Sequence, residues 1–228
     1  NETLSGLLSA ESKTPIGYIP TGSTNDFASS LKLPLDVLEA TKNIIEGQPV
    51  PYDAGRFGGR VFSYVASFGA FTRTSYTTPQ SIKNALGHTA YVLEGIQELT
   101  QIRNEHIKMI VDGEVVEDDF LFGAICNSTS VGGVLTLDPD VVDLQDNKLE
   151  ILLVRAPQNL AELHECILAL QDQTYNCAML TFRSATHIRI FADPEMPWTL
   201  DGEREEGHSE VEVVPEHLAY RLMKRVQP

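Results

Sequence analysis

Residues 16 to 31 constrain the fold more than any other stretch. Ile16, Tyr18 and Ile19 favour an extended backbone, and the run from Thr24 to Leu31 favours a helix, so strand must turn to helix across Pro20 and Gly22. Pro20 ends the strand, Gly22 permits a turn that a Cβ would obstruct, and Ser23 is a good N-cap. Asp26 then falls at the third helical position, where with Ser23 it approximates a capping box. A short strand of this kind is buried on both faces only between parallel neighbours, which predicts an α/β layer. The turn is either an ordinary capped helix start or a phosphate site. Asp26 would repel a bare phosphate, so Gly22, Ser23, Asn25 and Asp26 suit a magnesium-bound nucleotide better than a free anion.

The same texture covers residues 1–46. Leu4, Leu7 and Leu8 repeat at helical spacing from Glu2 to Ala10, and after Pro34 a further helix places Val37, Leu38, Ile44 and Ile45 on one face. From Gln48 the pattern becomes β. Strands are expected at Val50 to Phe57, Arg60 to Ala70, His106 to Val111, Glu114 to Asn127, Leu149 to Val154, His187 to Phe191, Trp198 to Leu200 and Glu210 to Val214, the last broken by Pro215. Helices interrupt them at Ile82 to Leu99 and Asn159 to Gln171, and the second has a stripe of Leu160, Leu163, Ile167 and Leu170. The fold class expected is α/β plus β: a truncated α/β nucleotide-binding lobe at 1–46, completed by 207–228, and a β-sandwich-like second domain at 47–206 carrying helical insertions.

The formal net charge is −15, from 32 acidic and 17 basic residues. Such a surface repels nucleic-acid phosphates, and no nucleic acid is expected as a partner. A local basic edge would still allow peripheral docking on lipid headgroups. Cys126, Cys166 and Cys177 are odd in number and lack zinc or disulfide spacing, so a reducing cytoplasm is the expected setting. No apolar run is long enough to span a bilayer as a helix. The six histidines form no HExxH pair, and there is no Gly-x-Ser-x-Gly elbow.

Two kinds of acidic feature stand out. Asp138, Asp140, Asp143 and Asp146 crowd four carboxylates into one loop, the donor type that hard cations take, although Val142 and Asp143 break the EF-hand pattern. The tripeptide Asp-Gly-Glu occurs twice. Asp112-Gly113-Glu114 lies between two alternating runs and reads as a hairpin turn. Asp201-Gly202-Glu203 follows Pro197-Trp198-Thr199-Leu200 and reads as a turn or as a site.

Four segments, in order, resemble the diacylglycerol kinase catalytic-domain family, which includes bacterial lipid kinases. Asn1 to Leu8 resembles the helix after that family's Gly-Gly-Asp-Gly-Thr loop, and Gly22-Ser23-Thr24-Asn25-Asp26-Phe27-Ala28 its Gly-Thr-x-Asn-Asp-Phe-Ala segment. Pro139 to Leu149 resembles its metal loop and Asp201-Gly202-Glu203 its catalytic tripeptide, while Gly132-Gly133 resembles part of its glycine cluster, with Val131 in place of the first glycine. The Gly-Gly-Asp-Gly-Thr loop itself is absent, and the sequence begins where it would end.

The resemblance implies a lipid kinase that uses ATP and Mg²⁺ and transfers the γ-phosphoryl group to a lipid alcohol such as diacylglycerol at a membrane surface. It implies that Gly22, Ser23, Asn25 and Asp26 line the nucleotide site and that Asp143, Asp146 and the Lys148 carbonyl hold a metal, with Asn147 where the family has glycine. Glu203 would be the general base and Asp201 a partner of the catalytic magnesium. Upstream sequence is expected to be missing from the chain, and the fragment alone is expected not to catalyse. An NAD-kinase-like phosphotransferase is the alternative enzyme, and a non-catalytic binding or regulatory protein with the same fold is the rival of another class. A homo-oligomer is left open.

Overall fold

The computed structural model describes the chain apart from residues 1, 23–24, 70–102, 132–134, 176 and 226–228. The expected helix at Ile82 to Leu99 and the Gly132-Gly133 pair therefore lie outside the described residues. Three helices come first, α1 (Glu2–Ser9), α2 (Asp26–Ser30) and α3 (Val37–Ile45), and α4 (Leu160–Gln171) lies within the β region. Thirteen described strands run from β1 (Gln48–Phe57) to β13 (Glu210–Lys224), and eleven of them form one sheet.

That sheet is antiparallel along the order β12-β11-β3-β5-β4-β10-β13-β1-β2, curled into a half-barrel. Here β2 is Arg60–Phe62, β3 Val65–Gly69, β4 Glu105–Val111, β5 Glu114–Cys126, β10 Ile188–Phe191, β11 Trp198–Leu200 and β12 Glu203–Glu205. Strand β5 is long because it serves three partners. Its first half pairs with β4, and its second half pairs with both β3 and β8 (Leu149–Arg155), which in turn pairs with β9 (Leu180–Ala185). The inside of the curl is filled by Phe57, Phe62, Phe68, Ile107, Met109, Phe120 and Trp198, each at most 2% exposed. A second core lies beneath α4, where Cys166, Ile167 and Ala169 pack with Leu152, Val154 and Phe122.

Several local expectations give way to tertiary contacts. The run expected from Arg60 to Ala70 is two strands, with Ser63 and Tyr64 bending between them. Pro215 does not break the last strand. Gly58 N–H donates to the Glu212 carbonyl, so alternate pairs along β1 and β13 are hydrogen-bonded and the pair Gly55–Pro215 is not. The nitrogen of Pro215 therefore points away from β1, past the last residue of β13 that β10 covers, Val213. Beyond it His217 to Ala219 bulge, with Leu218 at φ 47, and the strand resumes to Lys224.

Helix α3 begins at Val37 rather than after Pro34, capped by Asp36, whose carboxylate accepts from Leu38 N and Glu39 N at 3.0 and 3.1 Å. Its buried face is Ala40 and Asn43, while Val37, Leu38 and Ile45 are exposed. Asn43 decides this, because its side chain donates to the Met223 carbonyl and accepts from Arg225 N. The expected strand at Ile16 is a single parallel bridge to Leu222 in β13: Ile16 N donates to the Arg221 carbonyl at 2.8 Å, and Met223 N to the Ile16 carbonyl at 2.9 Å. A third core, containing Leu4, Ala28, Leu31, Tyr52, Ala54, Tyr220 and Leu222, joins the helices to this end of β1 and β13.

Candidate active site

Helix α2 differs from its expected start. It begins at Asp26 itself, so Asp26 is the first helical residue and the N-cap position falls on Asn25. Ser23 and Thr24 lie outside the described residues. Asn25 is the N-cap in the left-handed region at φ 53 and ψ 35, and its Oδ1 turns back to accept from Gly22 N at 2.8 Å. The side chain closes the turn and caps nothing. Asp26 is 9% exposed, and its Oδ1 accepts from Ser130 Oγ at 2.7 Å.

Ser130 belongs to a segment that sequence reasoning passed over. After β5 ends at Cys126, Asn127 to Ser130 make contacts with α2, with Tyr64 and with β1. Asn127 N donates to the Tyr64 carbonyl at 3.0 Å, its Nδ2 to the Asp53 carbonyl at 2.6 Å, and Ser128 Oγ lies 2.6 Å from Ser30 Oγ of α2. Asn127 is 4% exposed, and its Oδ1 has no partner among the described residues.

Tyr64 leads to the hairpin of the second Asp-Gly-Glu. Asp201 and Gly202 have φ 50 and 86, the two left-handed residues of a type I′ turn that closes on the pair Leu200–Glu203. Asp201 Oδ2 accepts from Ser63 N at 2.6 Å and Ser63 Oγ at 2.8 Å, and its Oδ1 from Tyr64 N at 3.0 Å and Val65 N at 3.1 Å. Four bonds use the lone-pair sites an ionised carboxylate offers, so Asp201 fixes the turn against the β2–β3 bend and keeps no free lone pair for a cation. Glu203 is exposed at the start of β12, with Oε2 3.2 Å from Arg60 Nη2, and the same guanidinium holds Glu205 at 2.5 Å.

The first Asp-Gly-Glu has the same backbone. Asp112 and Gly113 have φ 47 and 92 and close on Val111–Glu114. Asp112 also accepts from a neighbouring loop, through Thr186 N, Thr186 Oγ1 and His187 N, and Glu114 pairs with Arg183. Burial pushes the Asp112 carboxyl up, and those hydrogen bonds outweigh it and hold the group below its ordinary value. Turn geometry therefore does not distinguish the two tripeptides. Their neighbours do: one meets Tyr64 and Asn127, and the other meets the edge at Thr186.

The acidic loop is tied to the same framework by Asp53, a residue of β1 that is 0% exposed. Asp53 Oδ2 accepts from Asn147 N at 2.6 Å, its Oδ1 from Leu218 N at 2.7 Å in the bulge of β13, and Oδ1 lies 3.0 Å from His217 Nδ1. Its own N–H donates to the Leu144 carbonyl at 2.9 Å. Asn147 has φ 63, a conformation asparagine tolerates. Asp143 Oδ1 accepts from Gln145 N and Asp146 Oδ1 from Lys148 N, both at 3.0 Å, while Asp146 Oδ2 lies 3.5 Å from Lys148 Nζ. Each aspartate keeps its second oxygen free of hydrogen bonds from described residues. No three His, Cys, Asp or Glu side chains cluster for a metal among the described residues, so a cation here needs backbone carbonyls as well.

Two buried groups report the electrostatics. Burial, then the charges of Asp201 and of Asp53 with Tyr52 between them in effect, push the Tyr220 hydroxyl up, which sets Tyr220 among these carboxylates. Glu150, the second residue of β8, is pushed up to about 7 by burial first and by Asp146 second.

A curled antiparallel half-barrel joined by its last strand to a small α/β layer, with carboxylates of both parts on one hydrogen-bonded framework, is the architecture of a phosphotransferase of the lipid-kinase type. Comparison with known proteins gives the family. The diacylglycerol kinase catalytic domain matches residues 1–57, and the YegS C-terminal NAD kinase beta sandwich-like domain matches residues 65–221. The diacylglycerol kinase of Bacillus subtilis (strain 168) is 31% identical over 205 residues, covering 89% of this chain and 67% of that one. That of Staphylococcus carnosus (strain TM300) is 33% identical over 204 residues, covering 89% and 66%. A crystal structure of a diacylglycerol kinase from Bacillus anthracis str. Sterne superposes with a TM-score of 0.70 at 23% identity, covering 98% of this chain and 73% of that one, a likeness of fold. The chain belongs to the diacylglycerol kinase family, and it spans about two thirds of the length of these curated relatives.

Proposed function

We propose that this chain is the larger part of an ATP-dependent lipid kinase that transfers the γ-phosphoryl group to the hydroxyl of a lipid alcohol of the diacylglycerol class, working peripherally at a membrane surface in the cytoplasm. One observation carries the reading: a continuous framework runs from Asp26 through Ser130 to Asn127, from Asn127 to Tyr64, and from Tyr64 to Asp201 beside Glu203. It holds the candidate nucleotide element and the candidate base in fixed relation, which phosphoryl transfer requires because its catalysis is mostly positioning and charge stabilisation.

In this reading Gly22, Ser23, Asn25 and Asp26 line the nucleotide site, and Asp26, held by Ser130 through Oδ1, is its acidic contact. Glu203, exposed and steadied by Arg60, takes the proton from the lipid hydroxyl. Asp201 positions Glu203 through the turn. Mg²⁺, when bound, supplies charge to the phosphates and ties down the loop of Asp143, Asp146 and Lys148. No described helix is long and apolar enough to cross a membrane, and a water-facing enzyme must meet its lipid at the bilayer surface.

Assay of the full-length protein with ATP and mixed micelles of diacylglycerol, against NAD as a soluble acceptor, tests the assignment. Glu203→Gln is expected to lower kcat by about 100-fold or more with ATP binding retained. Glu114→Gln is expected to stay near wild type. Transfer to NAD and not to lipid would overturn the substrate class, and equal losses in both variants would overturn the choice of base.

A further inference from the structure

The order of the large sheet begins at β12 and ends at β2, so these two strands are its open edges, and among the described residues no ladder joins them. One guanidinium spans the seam. Arg60, the first residue of β2, donates from Nη1 to Glu205 Oε2 at 2.5 Å and from Nη2 to Glu203 Oε2 at 3.2 Å, and Nη1 also lies 3.4 Å from the Arg204 carbonyl. Alternation along β12 puts Glu203 and Glu205 on one side and Arg204 on the other, so a single planar fork meets both carboxylates.

The two carboxylates are not equal partners. The Glu205 side chain is 14% exposed against 54% for Glu203, and it takes the shorter bond. Glu205 is also seated by its neighbours: its pair in β11 is Trp198, His208 Nε2 lies 3.4 Å from its Oε1, and the His208 ring packs on Phe57, the pair of Arg60 in β1. Phe57 and Trp198 meet beneath the seam, with ring centroids 4.9 Å apart. Glu203 lies at the outer end of this arrangement, where a long side chain samples several rotamers unless a partner selects one. A guanidinium shared in this way orients Glu203 without closing on it. Released from Glu205, both of its nitrogens could turn onto Glu203, and a carboxylate held by such a bidentate pair must break it before taking a proton. We infer that Glu205 is a positioning residue for phosphoryl transfer: it holds Arg60 across the seam, so that Arg60 orients the Glu203 carboxylate yet leaves it able to accept the proton. This inference rests on reading Glu203 as the general base.

The test uses the full-length protein with ATP and mixed micelles of diacylglycerol, and reads kcat and the KM for ATP separately. Glu205→Gln keeps the size of the side chain and removes its charge, and should lower kcat about tenfold or more with the KM for ATP unchanged. Arg60→Lys keeps a charge that reaches one carboxylate but not both, and should fall as far. Combined with Glu203→Gln, neither change should lower kcat further, because each acts only through the base. Ion pairs this exposed add little to stability, so every single variant should melt within about 3 °C of wild type. A larger fall in melting temperature that tracks the loss of kcat would assign Glu205 to the fold instead. If Glu203→Gln lowers kcat and Glu205→Gln does not, or if Glu205→Gln costs the same factor with Glu203 and without it, Glu205 does not position the base and the reading of Glu203 stands. If Glu203→Gln keeps the wild-type kcat, the base lies elsewhere and this inference falls with that reading.

Discussion

Replacing Asp201 with asparagine separates the two Asp-Gly-Glu hairpins by experiment. Asparagine tolerates the φ of 50 at this position, so the backbone is not the variable. If the remaining oxygen faces Tyr64 N and Val65 N, both bonds lose their charge, at about 0.5 to 1 kcal/mol each. The new amide then faces Ser63. The hydroxyl can turn to accept from it, but Ser63 N–H, now 2.6 Å from an oxygen, is left without an acceptor at a cost of about 1 to 3 kcal/mol. The sum is about 3 kcal/mol, or a fall in Tm of roughly 6 to 12 °C for a chain of this size. The same change at Asp112 keeps Oδ1, which takes most of that side chain's bonds, and should cost about 1 kcal/mol or less on an exposed turn. Scanning calorimetry gives both values, and fluorescence of Trp198, the single tryptophan, reports directly on the strand leading into the Asp201 turn. Equal shifts in the two variants would refute the claim that Asp201 is the anchored one.

Mg²⁺ should raise the melting temperature of the chain by mass action, and the double change Asp143→Ala with Asp146→Ala should abolish that rise; an unchanged response would put the cation elsewhere. The folded state holds the Asp112 carboxyl below its ordinary value near 3.8, so its contribution is present above that pH and is lost as pH falls through the lower folded value. The stability gap between wild type and Asp112→Asn should accordingly close in acid, and a gap that widened on acidification would contradict the hydrogen-bond assignment.

The β texture, the hairpin at Asp112-Gly113 and the acidic loop were legible because each is written in neighbouring residues. Turn chemistry and period two need only a short window. Asp53 was not legible, since in Pro51-Tyr52-Asp53-Ala54 it reads as one polar residue in a strand, and its partners Asn147 and Leu218 lie 94 and 165 positions away. Asn127 to Ser130 were passed over for the same reason. Pro215 misled in the other direction: the breaker was real, but pairing on the opposite side of β13 had already ended at Val213. The burial of α3 also went against its apolar residues, because Asn43 finds the β13 carbonyl at Met223 and exposes Leu38 and Ile45 instead.

Strand β13 also sets the order in which this protein can be made. Val211 and Val213 fill the curled core, while Tyr220 and Leu222 fill the core beneath the first helices, so one late segment completes both. Its partner β1 leaves the ribosome more than 150 residues earlier and has no full ladder until β13 follows it. During synthesis β1 has only the short β2 beside it, at Gly55 to Phe57, which leaves the stretch around Tyr52 as an open edge, a template for misplaced strand pairing. Contacts of such long sequence separation close slowly. A growing chain of this protein therefore leaves the Tyr52 edge and both cores incomplete until β13 has emerged.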